Sequence, residues 1–284
     1  VKKQQAILIS GGILLVLALF IFGKTVPPKS VEIKPPANTE KSISAFDVSS
    51  ALVAAKDKLP PSRQAYINSL ESAVVRGDVK NQQIHVYHQL ASFWKDSVPT
   101  FEPYAFYTAE ASKLENSEKS LTFAAQLFLD NLRGMTDPAT KTWMAGQTKD
   151  LFERALKINP SNDSAKIGIG SAYIFGSPAE NPQELMQGIQ KILEVARRDS
   201  TNMYAQLMLG IGGVVSGQFD KAIERLLKVI SFEPGNMEAM LTLAEAYERK
   251  GDKPDAVKWY ETSKKFIGNP EVLKEIDKRI QLLK

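Results

Sequence analysis

The sequence predicts an all-α solenoid of antiparallel helix pairs, and three observations lead there. Leu209, Gly210, Gly217 and Ala222 reappear as Leu243, Ala244, Gly251 and Ala256, each 34 positions later. From Ala45 onward apolar residues return every three or four positions, as in Leu121, Ala124, Ala125 and Phe128, which is the period of a buried helix face. No stretch alternates apolar and polar residues for long enough to be a strand. A period of 34 with small residues at fixed points belongs to stacked helix-turn-helix units.

The chain opens with a tail over residues 1–5, followed by Ala6 to Gly23, a run of 18 residues without a charge. As a helix this run extends roughly 27 Å, close to the ~30 Å hydrocarbon core of a bilayer. Cleavable signals have a shorter apolar core and a small-residue cleavage site; here the run passes into Gly23-Lys24-Thr25-Val26-Pro27-Pro28. The expectation is an uncleaved transmembrane signal-anchor over 6–23, with a cleaved signal and a buried helix as the alternatives. Lys2 and Lys3 precede the span, but Lys24, Lys29, Lys34 and Lys41 follow it, so basic residues do not settle orientation. The brevity of the tail favours export of the remainder. Residues 24–44 hold Pro27-Pro28 and Pro35-Pro36 and read as a semi-rigid extended linker.

Residues 45–116 form an N-terminal helical region. Asp47 caps a helix reaching Leu59, which Pro60-Pro61 ends. Ser62 caps a helix over 63–76, stopped by Gly77-Asp78. Helices over 79–97 and 103–115 follow, then one over 117–132. Gly134 and Asp137-Pro138 break that one, and a further helix runs to Ile158.

The 34-residue register resembles that of the tetratricopeptide repeat (TPR) family. In that family position 8 is small because the two helices of a repeat cross there; Gly210 and Ala244 meet the requirement. Position 20 is small for the same reason and is met by Ala222 and Ala256. Position 11 is usually a large aromatic, so Tyr247 fits and Gly213 departs. Repeats are assigned to 203–236 and 237–270, with an earlier one at 163–202. The extra residues of that earlier repeat fall in its inter-helix turn, Gly176 to Pro182, where a longer loop costs little. A degenerate repeat occupies 117–160; its second helix reads as 148–160, further from 117–132 than the pattern allows. Residues 271–284 are amphipathic, with Val272, Leu273, Ile276, Ile280 and Leu283 on one face, and form a capping helix for the apolar end of the solenoid.

By the same resemblance, the first helix of each repeat presents a groove for protein partners. Its residues are Ile167, Ser171 and Ile174 of the first full repeat; Tyr204, Leu207, Ile211 and Val214 of the second; and Glu238, Leu241, Glu245 and Glu248 of the third. This groove is apolar in the middle and acidic at one end, which suits peptides of apolar and basic character. An equally weighted alternative is that its apolar positions are buried packing. No catalytic, cofactor or metal residues are assigned. Gly210-Ile211-Gly212-Gly213 lacks the Gly-Lys-Ser/Thr of a phosphate loop. His85 and His88 are the only histidines and there is no cysteine, too few ligands for a recognisable zinc site. The 36 basic and 32 acidic residues leave a net charge of +4 without a basic stripe, so nucleic acid is not an expected partner.

The expected protein is therefore a non-enzymatic, membrane-anchored scaffold in a bacterial inner membrane, its C-terminal part in the periplasm. The domain order is similar to that of the ancillary TPR subunit of the bacterial Sec translocon, which implies binding of newly exported chains. It is also similar to TPR factors of cytochrome c assembly, and, in the opposite orientation, to cytosol-facing import receptors.

Overall fold

Many of the described helices start at a side-chain cap: Asp47, Ser117, Asp137, Asn202, Asn236, Asp252 and Asn269 each accept a hydrogen bond from a first-turn amide. The computed structural model describes residues 46–76, 79–176 and 182–284; the expected span over 6–23 and the linker over 24–44 lie outside them. Among the described residues no helix is long and apolar enough to cross a membrane, and all regular structure is helical. The helices are α1 (Val48–Asp57), α2 (Pro61–Arg76), α3 (Lys80–Ser92), α4 (Phe101–Glu115), α5 (Glu118–Leu132), α6 (Pro138–Ile158) and α7 (Asp163–Gly176). They continue with α8 (Pro182–Arg198), α9 (Met203–Val215), α10 (Phe219–Phe232), α11 (Met237–Lys250), α12 (Lys253–Ser263) and α13 (Pro270–Leu283).

Four early boundaries differ from the sequence expectation, each for a local reason. Helix α2 begins at Pro61 rather than after Ser62, because the Pro60 carbonyl already accepts from the Arg63 and Gln64 amides, both at 3.0 Å, and proline suits the first helical position. The helix expected over 79–97 stays α-helical only to Ser92. Phe93–Ser97 then forms a π turn, closed by the Val98 amide on the Phe93 carbonyl at 3.2 Å. Helix α4 starts two residues early, at Phe101, since Pro103 sits in a first turn where its missing N–H is not needed. Finally, the second helix of the degenerate repeat is not confined to 148–160. It is the 21-residue α6, capped by Asp137, whose carboxylate accepts from the Thr140 amide at 2.8 Å. This whole helix, the one expected between Asp137-Pro138 and Ile158, packs against α5.

Packing follows chain order. The strongest associations are α3 with α4, α5 with α6, α7 with α8, α9 with α10, and α11 with α12. First helices also touch their successors, α5 to α7, α7 to α9 and α9 to α11, so each pair rests on the next as in a quasi-one-dimensional array. The core is likewise a chain of clusters. Ile67, Leu90, Trp94 and Tyr107 hold the first helices together. Phe128, Leu132, Leu151 and Phe152 fill the α5–α6 region. Ile192, Leu209, Leu226 and Val229 fill the region from α7 to α11. Phe46, just before α1, stacks on Trp143 of α6 with ring centroids 4.7 Å apart, tying the N-terminal helices to the array.

The recurring small residues have a steric basis. A Cβ placed on Gly170 would lie 2.6 Å from the backbone oxygen of Gly188, and one on Gly188 would lie 2.6 Å from that of Gly170, so α7 and α8 cross at backbone contact. A Cβ on Gly210 would meet the Leu226 side chain at 2.7 Å. Ala244 and Ala256 are fully buried. Gly217 and Gly251 recur for a different reason: both turn between helices with positive φ, 75° and 92°, which glycine adopts without strain. In each, a hydrogen bond reaches back over the turn, Gln218 to Gly213 at 2.7 Å and Asp252 to Tyr247 at 2.9 Å, the pattern of a Schellman stop. A signal absent from the expectation is the run of asparagine caps. Asn162, Asn202 and Asn236 accept from the amides of Ala165, Ala205 and Ala239 at 2.9, 3.0 and 2.9 Å, starting each first helix identically.

Helix α13 lays Ile276 and Ile280 on Tyr260, Ala244 and Ile267, and Val272 of the same expected face stays exposed. The Glu248 carboxylate accepts from both the Tyr260 hydroxyl and Arg279 Nε at 2.8 Å, pinning α13 to α11 and α12.

Two stability outcomes follow. Gly188→Val confronts backbone that cannot move aside, so unfolding in urea should show a loss of about 1–3 kcal/mol or more, against a few tenths for Gly134→Ala, whose added Cβ meets nothing within 4 Å. Hydrogen bonds from Thr140 and Thr201 hold the carboxyls of Asp137 and Asp199 below their ordinary value of 3.8. A lowered folded pKa means these two carboxylates, the Asp137 cap and the Asp199 turn, contribute above that ordinary value and are lost as pH falls through the lowered one; a circular-dichroism titration from pH 5 to 2 should show Asp137→Asn removing part of the acid sensitivity.

Candidate functional site

The first helices α5, α7, α9 and α11 share one face because each rests on the next. On this face the expected groove residues divide. Ile167, Ser171, Ile174, Leu207 and Val214 are each no more than 5% exposed. The four apolar ones belong to the cluster between α7 and α11, so they are packing between successive repeats and offer no open surface. The Ser171 hydroxyl is buried without a hydrogen-bond partner among the described residues. Ile211 and Leu241 are half-buried. Tyr204 is 41% exposed and Val215 is 44% exposed. They are the principal apolar side chains that reach the surface here.

The acidic end is largely engaged. Glu248 is taken by Tyr260 and Arg279. Glu238 is paired with Arg133, the C-cap of α5. Glu245 is loosely held, with Arg249 at 3.6 Å one turn along its own helix and its charge also acting on Arg279.

Arg133 organises the face and was not among the expected residues. Its guanidinium stands 4.4 Å from the ring centroid of Phe175 at the end of α7. One nitrogen lies 3.2 Å from the Met208 sulfur of α9, and another pairs with Glu238 of α11. One side chain thus joins the end of α5 to the other three first helices. Gln126 and Asp130, also of α5, stand with Arg133 around the Tyr204 hydroxyl. Loss of solvent at that hydroxyl raises the phenol above its ordinary value of 10.0; Arg133 opposes the rise and Asp130 adds to it. Gln126 and Asp130 were legible in principle. Carrying the cap register back from Asn162 to Ser117, which accepts from the Ser120 amide at 3.1 Å, puts them on the same face. Arg133 lies beyond the helix end, and no register points to it.

Elsewhere, His88 Nε2 lies 2.5 Å from a Glu115 carboxylate oxygen. With His85, Tyr66, Phe93 and Asp96 it borders a cavity of about 480 Å³ beside the π turn. Among the described residues no three His, Cys, Asp or Glu side chains converge on a point that would hold a metal.

This architecture is an all-helical solenoid of TPR-like form, and residues 216–274 match the tetratricopeptide repeat family. BBSome complex member BBS4 of Bos taurus is 28% identical over 125 residues, covering 43% of this chain. The chain spans 22% of that relative's length. Among solved structures, TTC0263, a thermophilic TPR protein of Thermus thermophilus, is 15% identical with a TM-score of 0.53, over 72% of this chain and 100% of that one. At that identity the likeness concerns the fold. PilW, a type IV pilus biogenesis factor, is 17% identical with a TM-score of 0.47, over 72% of this chain and 94% of that one.

The Arg133–Glu238 pair is partly exposed, so Arg133→Gln should lower stability by only about 1 kcal/mol while increasing hydrogen exchange in the first turn of α11. A uniform, large fall in melting temperature would contradict a local bridging role. Because the Tyr204 pKa is raised, its contribution is complete below the ordinary phenol value and is lost as pH rises through the raised one. Alkaline difference absorbance between the protein and Tyr204→Phe should therefore show that phenol ionising late.

Proposed function

We propose that this chain is a protein-docking scaffold whose first-helix face receives a polypeptide segment carrying apolar anchors and basic residues. The observation that carries the reading is Arg133 itself, stacked on Phe175 and paired with Glu238. An arginine of a bound segment would make the same two contacts, cation on aromatic face and guanidinium on carboxylate. Arg133 then acts as an internal occupant that a ligand must displace. Tyr204 and Ile211 supply the adjoining apolar surface, with Leu241 beside them, and the loosely paired Glu245 supplies further negative charge. The matches to the tetratricopeptide repeat family and fold support a binding role and give no support for catalysis.

In this proposal residues 6–23 anchor the protein in a bacterial inner membrane, the repeats lie on the periplasmic side, and the clients are newly exported polypeptides. Apocytochrome c as client and a cytosol-facing receptor are the alternative outcomes. Photoreactive groups at Tyr204 and Ile211 in native membranes, followed by identification of crosslinked proteins, separate the client classes; protease access to a tag at Lys284 in intact and opened vesicles decides orientation. Arg133→Ala should raise the crosslink yield at Tyr204 several-fold by vacating the Glu238 carboxylate, whereas Glu238→Gln with Glu245→Gln should lower it. Equal yields in all three proteins would refute this use of the face.

A further inference from the structure

A second recess lies on the other side of the array, where α8, α9 and α10 meet. The 34-residue register pairs Gly213 with Tyr247, and the earlier repeat carries Tyr173 at the corresponding place. Tyrosine thus packs between helices on both sides of a repeat that has no side chain there. Part of this space is closed by drawing the helices together: a Cβ on Gly213 would lie 3.0 Å from that of Ala222. The remainder is a cavity of about 350 Å³ bordered by Gly213, within the size range of ligand pockets.

Its chemistry is two-part. Ile189, Leu193 and Leu209 give it an apolar lining, and Arg197, Lys221 and Arg225 stand around it with no carboxylate among the residues that border it. Among the described residues none of the three cations is in a salt bridge, although the charge of the neighbouring Glu224 acts on Arg225. Arg225 donates to the neutral Gln206 amide oxygen at 2.6 Å, and Lys221 donates to that of Gln218 at 3.0 Å. Arg197 and Lys221 are exposed and available to a ligand. An apolar slot large enough for one side chain, edged by three cations, is complementary to an apolar residue flanked by carboxylates.

We infer that this recess is a second docking site, one that takes an acidic peptide segment by burying a single apolar anchor side chain while Arg197, Lys221 and Arg225 pair with flanking Asp or Glu. It involves none of the residues of the first-helix face and selects the opposite charge, so the two sites would engage different segments or different partners.

The test uses the purified full chain and fluorescein-labelled octapeptides with one central Leu or Phe among Asp and Glu. Fluorescence anisotropy should show binding by the acidic peptides, and binding weaker by roughly tenfold or more, about 1.4 kcal/mol, for the same peptides with Lys in place of the acids or Ser in place of the anchor. Arg197→Glu and Lys221→Glu, both at exposed positions, should each weaken binding several-fold with unchanged helix content and melting temperature. If a charge-reversed protein fails to fold, a benzophenone at Met186 in the otherwise unaltered chain should crosslink to the acidic peptide and not to its Lys counterpart. The inference is overturned if no acidic peptide binds, if the charge reversals leave binding intact, if Tyr204→Ala abolishes it, or if decanoate binds where peptides do not. Failure of these measurements leaves the Tyr204 crosslinking result unaffected, so the two sites stand or fall separately.

Discussion

Helices can approach to backbone contact only where side chains step aside, and everything else in this array depends on where that happens. At Gly170 and Gly188 the facing backbones leave no room even for a methyl group. One pair later Gly210 makes room for the Leu226 side chain and Gly213 sits against Ala222. Close crossing brings each second helix down onto its first, and the apolar sides of both then bury against the next pair. Ile192, Leu226 and Val229 are fully buried as a consequence. Since burying a large aliphatic side chain is worth about 1.5–3 kcal/mol, the crossing points act through the many contacts they permit more than through their own.

The same constraint divides the surface into two faces with different chemistry. Successive first helices lie so close that most apolar positions between them are consumed as core, which leaves Tyr204 and Val215 outside with the Glu238 and Glu245 carboxylates. Arg133 spans that face and neutralises part of it. On the opposite side, a missing aromatic at Gly213 and the cations of α8 and α10 produce a recess of the other sign.

Much of the fold was legible in residues 203–270, where glycines and alanines recur at one interval and each has a local steric reason. The turn glycines are there because only that residue takes positive φ freely, and that need is visible in any repeat. Helix starts were less legible. Asparagine caps at 162, 202 and 236 mark every first helix of the full repeats, yet asparagine is common enough in loops that the signal emerges only in alignment with the structure. The π turn at Phe93–Ser97 had no sequence mark, since it is the last turn of its helix and no further turn follows in which a shifted apolar period would show.

By itself the sequence determined the class of architecture, the pairing order of the helices from α7 onward and the positions at which they cross, because these follow from local period and side-chain size. Only the tertiary structure decided which face residues remain open. Whether Leu207 or Tyr204 meets solvent depends on how closely a neighbouring repeat settles, and that distance is the sum of many contacts over several helices. The bridge from Arg133 to Glu238 joins residues 105 positions apart, and no local rule connects them.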